Sequence, residues 1–374
     1  MTKQVPISPD AGPYASRKYY PALDGLRGIA ILLVVFYHNF GFINYFFFGW
    51  LGVDLFFVLS GFLITEILLH TREKPGYLRN FYMRRVLRIA PLYYLALLLF
   101  LVILPRIPAN TIDFSFYRQH QAWFWTYLQN WLLISRESSA NTTALHHFWS
   151  LAVEEQYYLF WPLLVLLIRK PQVLITSIAL LLITVIGIRI FMWLNQVREF
   201  NYFGFYTFTR IDGLCIGSML AVILYSYPKF LRSYSTLIIL GLAAFNFLFF
   251  FINRANQFTF PYFAMVGYTT FAVIFAMLVY EATNEENRLL QRLLQSGILK
   301  FLGKYSYGIY IWHWPVYLLL HRPVRSWLAG VVTTSKQTGN VIAAIGVTAV
   351  AVLISVASFH LFEKYFINLK KNYQ

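Results

Sequence analysis

Arg27 and His38 stand eleven residues apart, with an apolar run between them. At about 100° per residue, eleven steps make three helical turns plus roughly 20°, so both side chains leave a helix on the same side. At ~1.5 Å per residue the rise between them is about 16 Å, which puts His38 deep in the run and directly above Arg27. An imidazole there suits a general base. A hydrogen-bonded packing histidine is the plainer reading. In the next apolar run Asp54 is placed either to pair with His38 and hold its ring or to cap a helix near its outer end. Further along that run, Ser60 and Gly61 are small enough for a backbone or a ligand to approach closely.

Arg84, Arg85 and Arg88 are spaced i,i+3 and i,i+4, so all three point to one side of a helix. Three guanidiniums at a helix mouth make a phosphate site, because each donates two parallel hydrogen bonds to phosphate oxygens. Positive charge that anchors a span at its inner boundary would put arginines in the same place. Glu154 and Glu155 lie just inside the outer end of another apolar run. There one of them faces a water-filled cavity, or the pair complements a helix dipole. Arg210 and Asp212 read as an internal ion pair at the outer end of a further run, and His313 sits in the middle of one. No nucleotide-binding Gly-rich loop, zinc-protease motif or paired histidine spacing occurs. The single cysteine, Cys215, excludes a disulfide framework and a thiolate zinc site, and no metal is expected.

The elements that carry these residues follow from composition. The chain has 374 residues, 59% apolar, 20% aromatic and only 12% charged. Typical globular chains are roughly 45–50% apolar and 25% charged, so too few polar groups remain to cover a soluble surface. The composition implies an all-α polytopic membrane protein. About ten spans are expected, near 26–46, 49–69, 89–105, 148–168, 172–194, 205–226, 234–252, 260–280, 299–320 and 340–361. The aromatic stretch 114–134, interrupted by polar residues, reads as an interfacial helix on the outer face. Residues 1–18 form a polar tail without the apolar core of a signal peptide, so the first run acts as an uncleaved anchor. The membrane domain covers 19–367, and 368–374 form a second tail.

A net charge of +16 would suggest nucleic acid, but the basic residues sit in the gaps between apolar runs. With both termini inside, 21 lysines and arginines fall on inner segments and 8 on outer ones. That bias predicts an N-in, C-in protein of the cell (inner or plasma) membrane, with both tails cytoplasmic.

Taken in order, the motifs resemble the membrane-bound acyltransferase-3 family, whose members O-acetylate bacterial surface sugars and related acceptors. The resemblance runs from about 19 to 367. It rests on Tyr20-Pro21-Ala22-Leu23-Asp24-Gly25-Leu26-Arg27-Gly28 with His38 following, on Gly52-Val53-Asp54 through Ser60-Gly61-Phe62, and on Arg85-Val86-Leu87-Arg88-Ile89. It continues in Trp149-Ser150-Leu151-Ala152-Val153-Glu154-Glu155-Gln156, Arg210-Ile211-Asp212, and Ser306-Tyr307-Gly308-Ile309-Tyr310 through His313. It implies a cytoplasmic acyl-CoA donor, with acetyl as the expected group, an essential Arg27–His38 pair, and Arg85 and Arg88 as donor contacts. Some members carry an extra esterase-like domain, and this chain resembles the stand-alone kind.

Residues and resemblance combine into one expected site. Coenzyme A phosphate docks on Arg84, Arg85 and Arg88 with Ser60 beside the donor, and the thioester reaches His38. His38 acts as general base on an acceptor hydroxyl, or carries the acyl group itself. Arg27, Trp149 or a tyrosine polarises the carbonyl. Asp54 and Glu154 support catalysis, while Trp149, Glu155, Arg210, Asp212 and His313 face the carbohydrate acceptor. A proton-coupled transporter or lipid-linked sugar flippase also places His, Asp and Glu in mid-membrane. Transporters more often show internal repeats and paired broken spans, which are not evident here. A sensor whose buried charges only pair with one another is a third reading. A homo-oligomer stays open.

Overall fold

The computed structural model describes residues 19–107, 115–134, 144–197, 199–228, 231, 234–252, 266–284, 286–331 and 335–373. All regular structure among them is helical. Helix α1 (Pro21–Asn39) leads through a tight stretch, Asn44–Trp50, into α2 (Leu51–Thr71) and α3 (Tyr77–Leu97), which continues as a wider π-helical turn, Leu98–Ile103. The short helices α4 (Ser115–Trp125) and α5 (Gln129–Leu132) precede α6 (Trp149–Leu167) and α7 (Pro171–Leu194). Next come α8 (Phe200–Gly204), α9 (Thr207–Arg210), α10 (Asp212–Ser226), α11 (Ser235–Ile252), α12 (Gly267–Asn284) and α13 (Arg288–Leu294). The chain closes with α14 (Gly297–Val331), α15 (Lys336–Ser358), a π-helical turn over Phe359–Glu363, and α16 (Lys364–Leu369).

Local chemistry explains several starts. Pro21 and Pro171 open α1 and α7, where a missing N–H costs nothing and the fixed φ suits a helix. Ser335 and Asn287 cap α15 and α13 by accepting from the Thr338 and Leu290 amides at 3.1 and 3.0 Å. Gly76, with φ of 73°, makes the left-handed turn before α3.

Five helical stretches are long and apolar enough to cross a membrane: Pro21–Asn39, Asn44–Thr71, Tyr77–Arg106, Pro171–Leu194 and Lys336–Asn372. The chain is therefore a multi-pass membrane protein. The other expected spans coincide with α6, α10, α11, α12 and α14, which fall short in length or apolarity over the described residues. Polar side chains with partners inside the bundle, such as Glu154 and Glu155 with Arg85 and His313 with His38, lower the apolarity of α6 and α14.

The arginine segment, expected at the inner mouth just before the span 89–105, is continuous with it in one helix: α3 begins at Tyr77 and carries Arg84, Arg85 and Arg88. The stretch 114–134, expected as one interfacial helix on the outer face, forms two short helices over 115–134, α4 and α5, with Gln129 and Asn130 fully buried. Gln129 donates to the Phe148 carbonyl at 2.8 Å, and Asn130 to the Phe205 carbonyl at 3.1 Å and the Thr207 hydroxyl at 2.9 Å. Two side-chain amides spend their donors on backbone and hydroxyl oxygens that headgroup water would otherwise solvate.

Two close crossings organise the bundle. Helix α1 packs on α13 and α14 so tightly that a Cβ at Gly25 would stand 1.9 Å from the Leu294 carbonyl oxygen, and one at Gly303 1.8 Å from that of Asp24. Helix α2 packs on α10 in the same way through Gly61 and Gly217. Small residues let helix backbones meet where lipid gives no hydrophobic drive to association. The first crossing sets Arg27 and His38 against α14. Segment α16 lies back against α3, with the Arg79 guanidinium 5.7 Å from the Tyr373 ring, so the start of α1 and the Lys370 segment share one end of the bundle.

Candidate active site

A cavity of about 690 Å³ lies between α1, α2, α3, α6 and α14. Arg27, Ser60, Arg85, Arg88 and Glu154 line it, five residues that the sequence singles out from four separate motifs. They are not equally free. Arg85 is pinned, with Nη2 at 3.7 Å from Glu154, Nε at 3.6 Å from Glu155, and its guanidinium 3.6 Å over the Tyr158 ring. Arg27 is paired with Asp24 one helical turn before it, at 3.1 Å. Arg88 faces the cavity without an ion pair among the described residues. Arg84 is exposed and lines no part of the cavity.

The Arg85–Glu154 contact corrects the expected depths. Arg85 was placed on an inner segment and Glu154 just inside the outer boundary, yet they are neighbours. Tyr82 and Tyr77 of α3 donate to the Leu159 and Pro162 carbonyls of α6 at 2.7 and 3.1 Å, so the two helices run antiparallel. A full turn of α6 separates Trp149 from Glu154, and the arginines lie inside α3. Together these bring the charges to a common level.

At the other end of the cavity stand Ser150 and Tyr310. Their hydroxyls are 2.5 Å apart, and Tyr310 donates to the His147 carbonyl at 2.7 Å. Beyond them His38, His147 and His313 form a cluster. Ring centroids of His38 and His147 each lie 5.1 Å from that of His313, and Trp314 is 5.3 Å from His38.

The hydrogen bonds fix the tautomers. His313 Nδ1 lies 3.0 and 2.8 Å from the Ile309 and Tyr310 carbonyls, so Nδ1 carries the proton and Nε2 is an acceptor. His38 Nδ1 lies 3.0 Å from the Val34 carbonyl and 3.3 Å from His313 Nε2, two acceptors, so it too carries its proton on Nδ1. The lone pair of His38 is then on Nε2. The nitrogens that face each other already form a hydrogen-bonded pair, and no metal-holding group of three His, Cys, Asp or Glu occurs among the described residues.

The remaining candidates lie elsewhere. Asp54 does not reach His38. It accepts from Arg210 at 2.7 Å, and both are almost wholly buried. Asp212 does not take Arg210 as its bridge partner but pairs with Arg189 at 2.7 Å, and accepts from the Thr269 hydroxyl at 2.8 Å. The Arg210 guanidinium stacks 3.7 Å over the Tyr268 ring and 5.5 Å from the Trp149 ring. Asp54, Trp149, Arg210 and Asp212 thus belong to one buried ion-pair cage that lines neither of the two principal cavities. The cage has a physical reason: each charge is deep in the bundle, and a buried charge left unpaired is far costlier than a paired one. Of the acceptor-facing candidates, only His313 joins the histidine cluster, while Glu155 stays with Arg85.

Sequence reasoning missed His147, Ser150 and Tyr310 as site residues. His147 and Ser150 flank Phe148-Trp149 in a motif that was read for its carboxylates, and Tyr310 precedes His313 by three residues, so it shares a helix face with it. The tight turn His146–Phe148 before α6 swings the His147 ring inward.

The chain matches the acyltransferase domain family over residues 20–360. It is 31% identical over 330 residues to the peptidoglycan O-acetyltransferase OatA of Listeria monocytogenes, which covers 81% of this chain and 50% of that protein. It is 32% identical over 333 residues to YrhL of Bacillus subtilis, provisionally named a peptidoglycan O-acetyltransferase, covering 82% and 50%. A Staphylococcus aureus strain COL protein, provisionally named an O-acetyltransferase, is 30% identical over 331 residues, covering 82% and 52%. The chain spans about half the length of these relatives. No solved structure matches it.

Proposed function

The chain belongs to the acyltransferase-3 family, and from that premise we propose that it is a membrane-embedded O-acyltransferase. It moves an acyl group, acetyl first among candidates, from cytoplasmic acyl-CoA to a hydroxyl of a cell-surface carbohydrate. The names of its relatives favour peptidoglycan as the acceptor class. The ten-span, N-in, C-in layout in the cell membrane goes with this reading, since it puts the arginine end of the cavity on the side where acyl-CoA is found.

One observation carries the proposal. A single cavity has guanidiniums at one end and two hydroxyls at the other, with the His38–His313 pair beyond them. Phosphate is held by Arg88 and Arg27, which line the cavity beside the glutamate-bound Arg85. Arg85, fixed by Glu154 and Glu155, shapes the wall between them. The arm of the donor then follows α1 over the ~16 Å rise from Arg27 to His38.

The chemistry at His38 follows from its tautomer. Nε2 accepts the proton of the acceptor hydroxyl as that oxygen attacks the thioester carbonyl carbon. The resulting oxyanion is met by the Ser150 hydroxyl at the cavity end, since the Tyr310 proton goes to the His147 carbonyl. Collapse of the tetrahedral intermediate breaks the carbon–sulfur bond, and the imidazolium returns its proton to the departing thiolate. Nδ1–H holds the ring throughout, shared between Val34 and His313. Transfer through an acyl group on Nε2 is the other route.

The test is release of free coenzyme A from acetyl-CoA by the purified protein in lipid nanodiscs, with and without peptidoglycan fragments. Acceptor-stimulated thiol release is expected. A rate no higher than that of protein-free nanodiscs would sink the proposal and favour a transporter or flippase.

A further inference from the structure

Arg88 also lines a second cavity, of about 620 Å³, set between α14 and the segment from Ser355 to Lys370. Its charged lining is Arg88, Lys304 and Lys370 against one carboxylate, Glu363, which accepts from the Ser358 hydroxyl at 3.2 Å. None of these three cations makes an ion pair among the described residues. The Lys304 ammonium lies over the Tyr305 and Phe359 rings, 5.1 and 5.4 Å from their centroids. Arg88, and more weakly Arg84 and Arg85, repel the Lys370 ammonium. Cations gathered this way destabilise one another unless an anion joins them.

The acyl cavity by itself is short of positive charge for the proposed donor. Arg85 is offset by Glu154 and Glu155, and Arg27 by Asp24. A coenzyme A nucleotide carries a diphosphate and a separate 3′-phosphate monoester, the latter alone worth roughly 1.5–2 negative charges. The second cavity supplies the missing cations next door, joined through Arg88, and Tyr305 and Tyr307 on its wall offer ring surface to a base.

We propose that this second cavity holds the phosphorylated nucleotide end of the acyl-CoA donor, with Lys304 and Lys370 on the 3′-phosphate and Arg88 at the junction where the arm enters the acyl cavity. The inference rests on the donor assigned under the proposed function. An anionic lipid headgroup presents similar phosphate chemistry, and the experiment separates the two.

Thiol release by the purified full chain is measured with acetyl-CoA and with 3′-dephospho-acetyl-CoA, in phosphatidylcholine and in phosphatidylglycerol nanodiscs. The wild type should show a KM about 10-fold higher for the dephospho donor, the cost of one lost charge-assisted contact. Lys304→Ala and Lys370→Ala should raise the KM for acetyl-CoA by a similar factor, add little for the dephospho donor, and change kcat less than twofold. Lys304→Arg should restore most of the loss, which a folding defect would not allow. Equal KM values for the two donors in the wild type overturn the inference and leave the acyltransferase reading standing. So does a lysine effect that is equal for both donors, or one confined to phosphatidylglycerol, which assigns the cavity to lipid. No turnover with either donor overturns the acyltransferase reading and this inference with it.

Discussion

Nδ1 of His38 is tied to the Val34 carbonyl and to His313, and this is what leaves Nε2 available for proton transfer. A packing histidine would need no second imidazole aimed at it. His38→Ala is expected to lower acyl transfer by about 10²–10⁴-fold while the protein still accumulates in the membrane, as removal of a general base does. The measurement is the thiol-release rate, normalised to folded protein by size-exclusion profile. A folded His38→Ala variant that keeps most of its rate would move the base to His313 or Glu154.

Asp54 and Arg210 behave differently at the same scale. Removing either partner leaves a charge in a site that is 1–2% exposed, and breaking a buried pair costs about 3–5 kcal/mol. Asp54→Ala and Arg210→Ala should each lower the Tm in nanodiscs sharply. The double variant should be less destabilised than the two losses added, because no lone charge remains. Asp54→Ala with a wild-type Tm and no activity would return Asp54 to the chemistry and take it out of the cage.

At the scale of elements, the α1–α14 crossing decides whether the site exists. It sets Arg27 beside the arginines of α3 and, about 16 Å further on, His38 beside His313. Gly303→Ala would put a methyl group 1.8 Å from the Asp24 carbonyl oxygen, so the helices must separate. Overpacking of this kind costs about 1–3 kcal/mol. The variant should lose Tm and kcat together, since both ends of the cavity shift. Gly330→Ala, on the same helix with nothing within 4 Å, is the control and should change neither. A Gly303→Ala variant with full activity would mean that the crossing tolerates more slack than its geometry allows.

For the whole molecule, the start of α1 and the Lys370 segment share one end of the bundle, so both lie on one side of the membrane, and the charge bias predicts that this side is the inner one. The single cysteine, Cys215, is buried, so introduced cysteines report without interference. Tyr45→Cys, at a side chain 91% exposed, and Arg118→Cys should react with an impermeant maleimide added outside intact cells. Lys74→Cys and Lys300→Cys should react only after permeabilisation. Labelling of Tyr45→Cys and Lys74→Cys from the same side would overturn the layout.

Much of this was legible before any tertiary contact. Composition makes the chain helical and membrane-embedded, because 12% charged residues cannot cover a soluble protein of this size. Spacing along single helices puts Arg27 under His38 and groups Arg85 with Arg88, since a helix has a fixed period. What one helix cannot specify is its neighbour. Sequence offered Asp54 as a partner for His38 because carboxylates orient many acid–base imidazoles, and Arg210 for Asp212 because the two are neighbours in one motif. The packing of α2 on the α9–α10 corner, of α7 on α10 and of α1 on α14 settled those pairings otherwise, giving Asp54 to Arg210, Asp212 to Arg189 and His38 to His313. Charges and imidazoles inside a bundle are satisfied across helix interfaces. Their partners are therefore set by which backbones come close, and only the packed structure decides that.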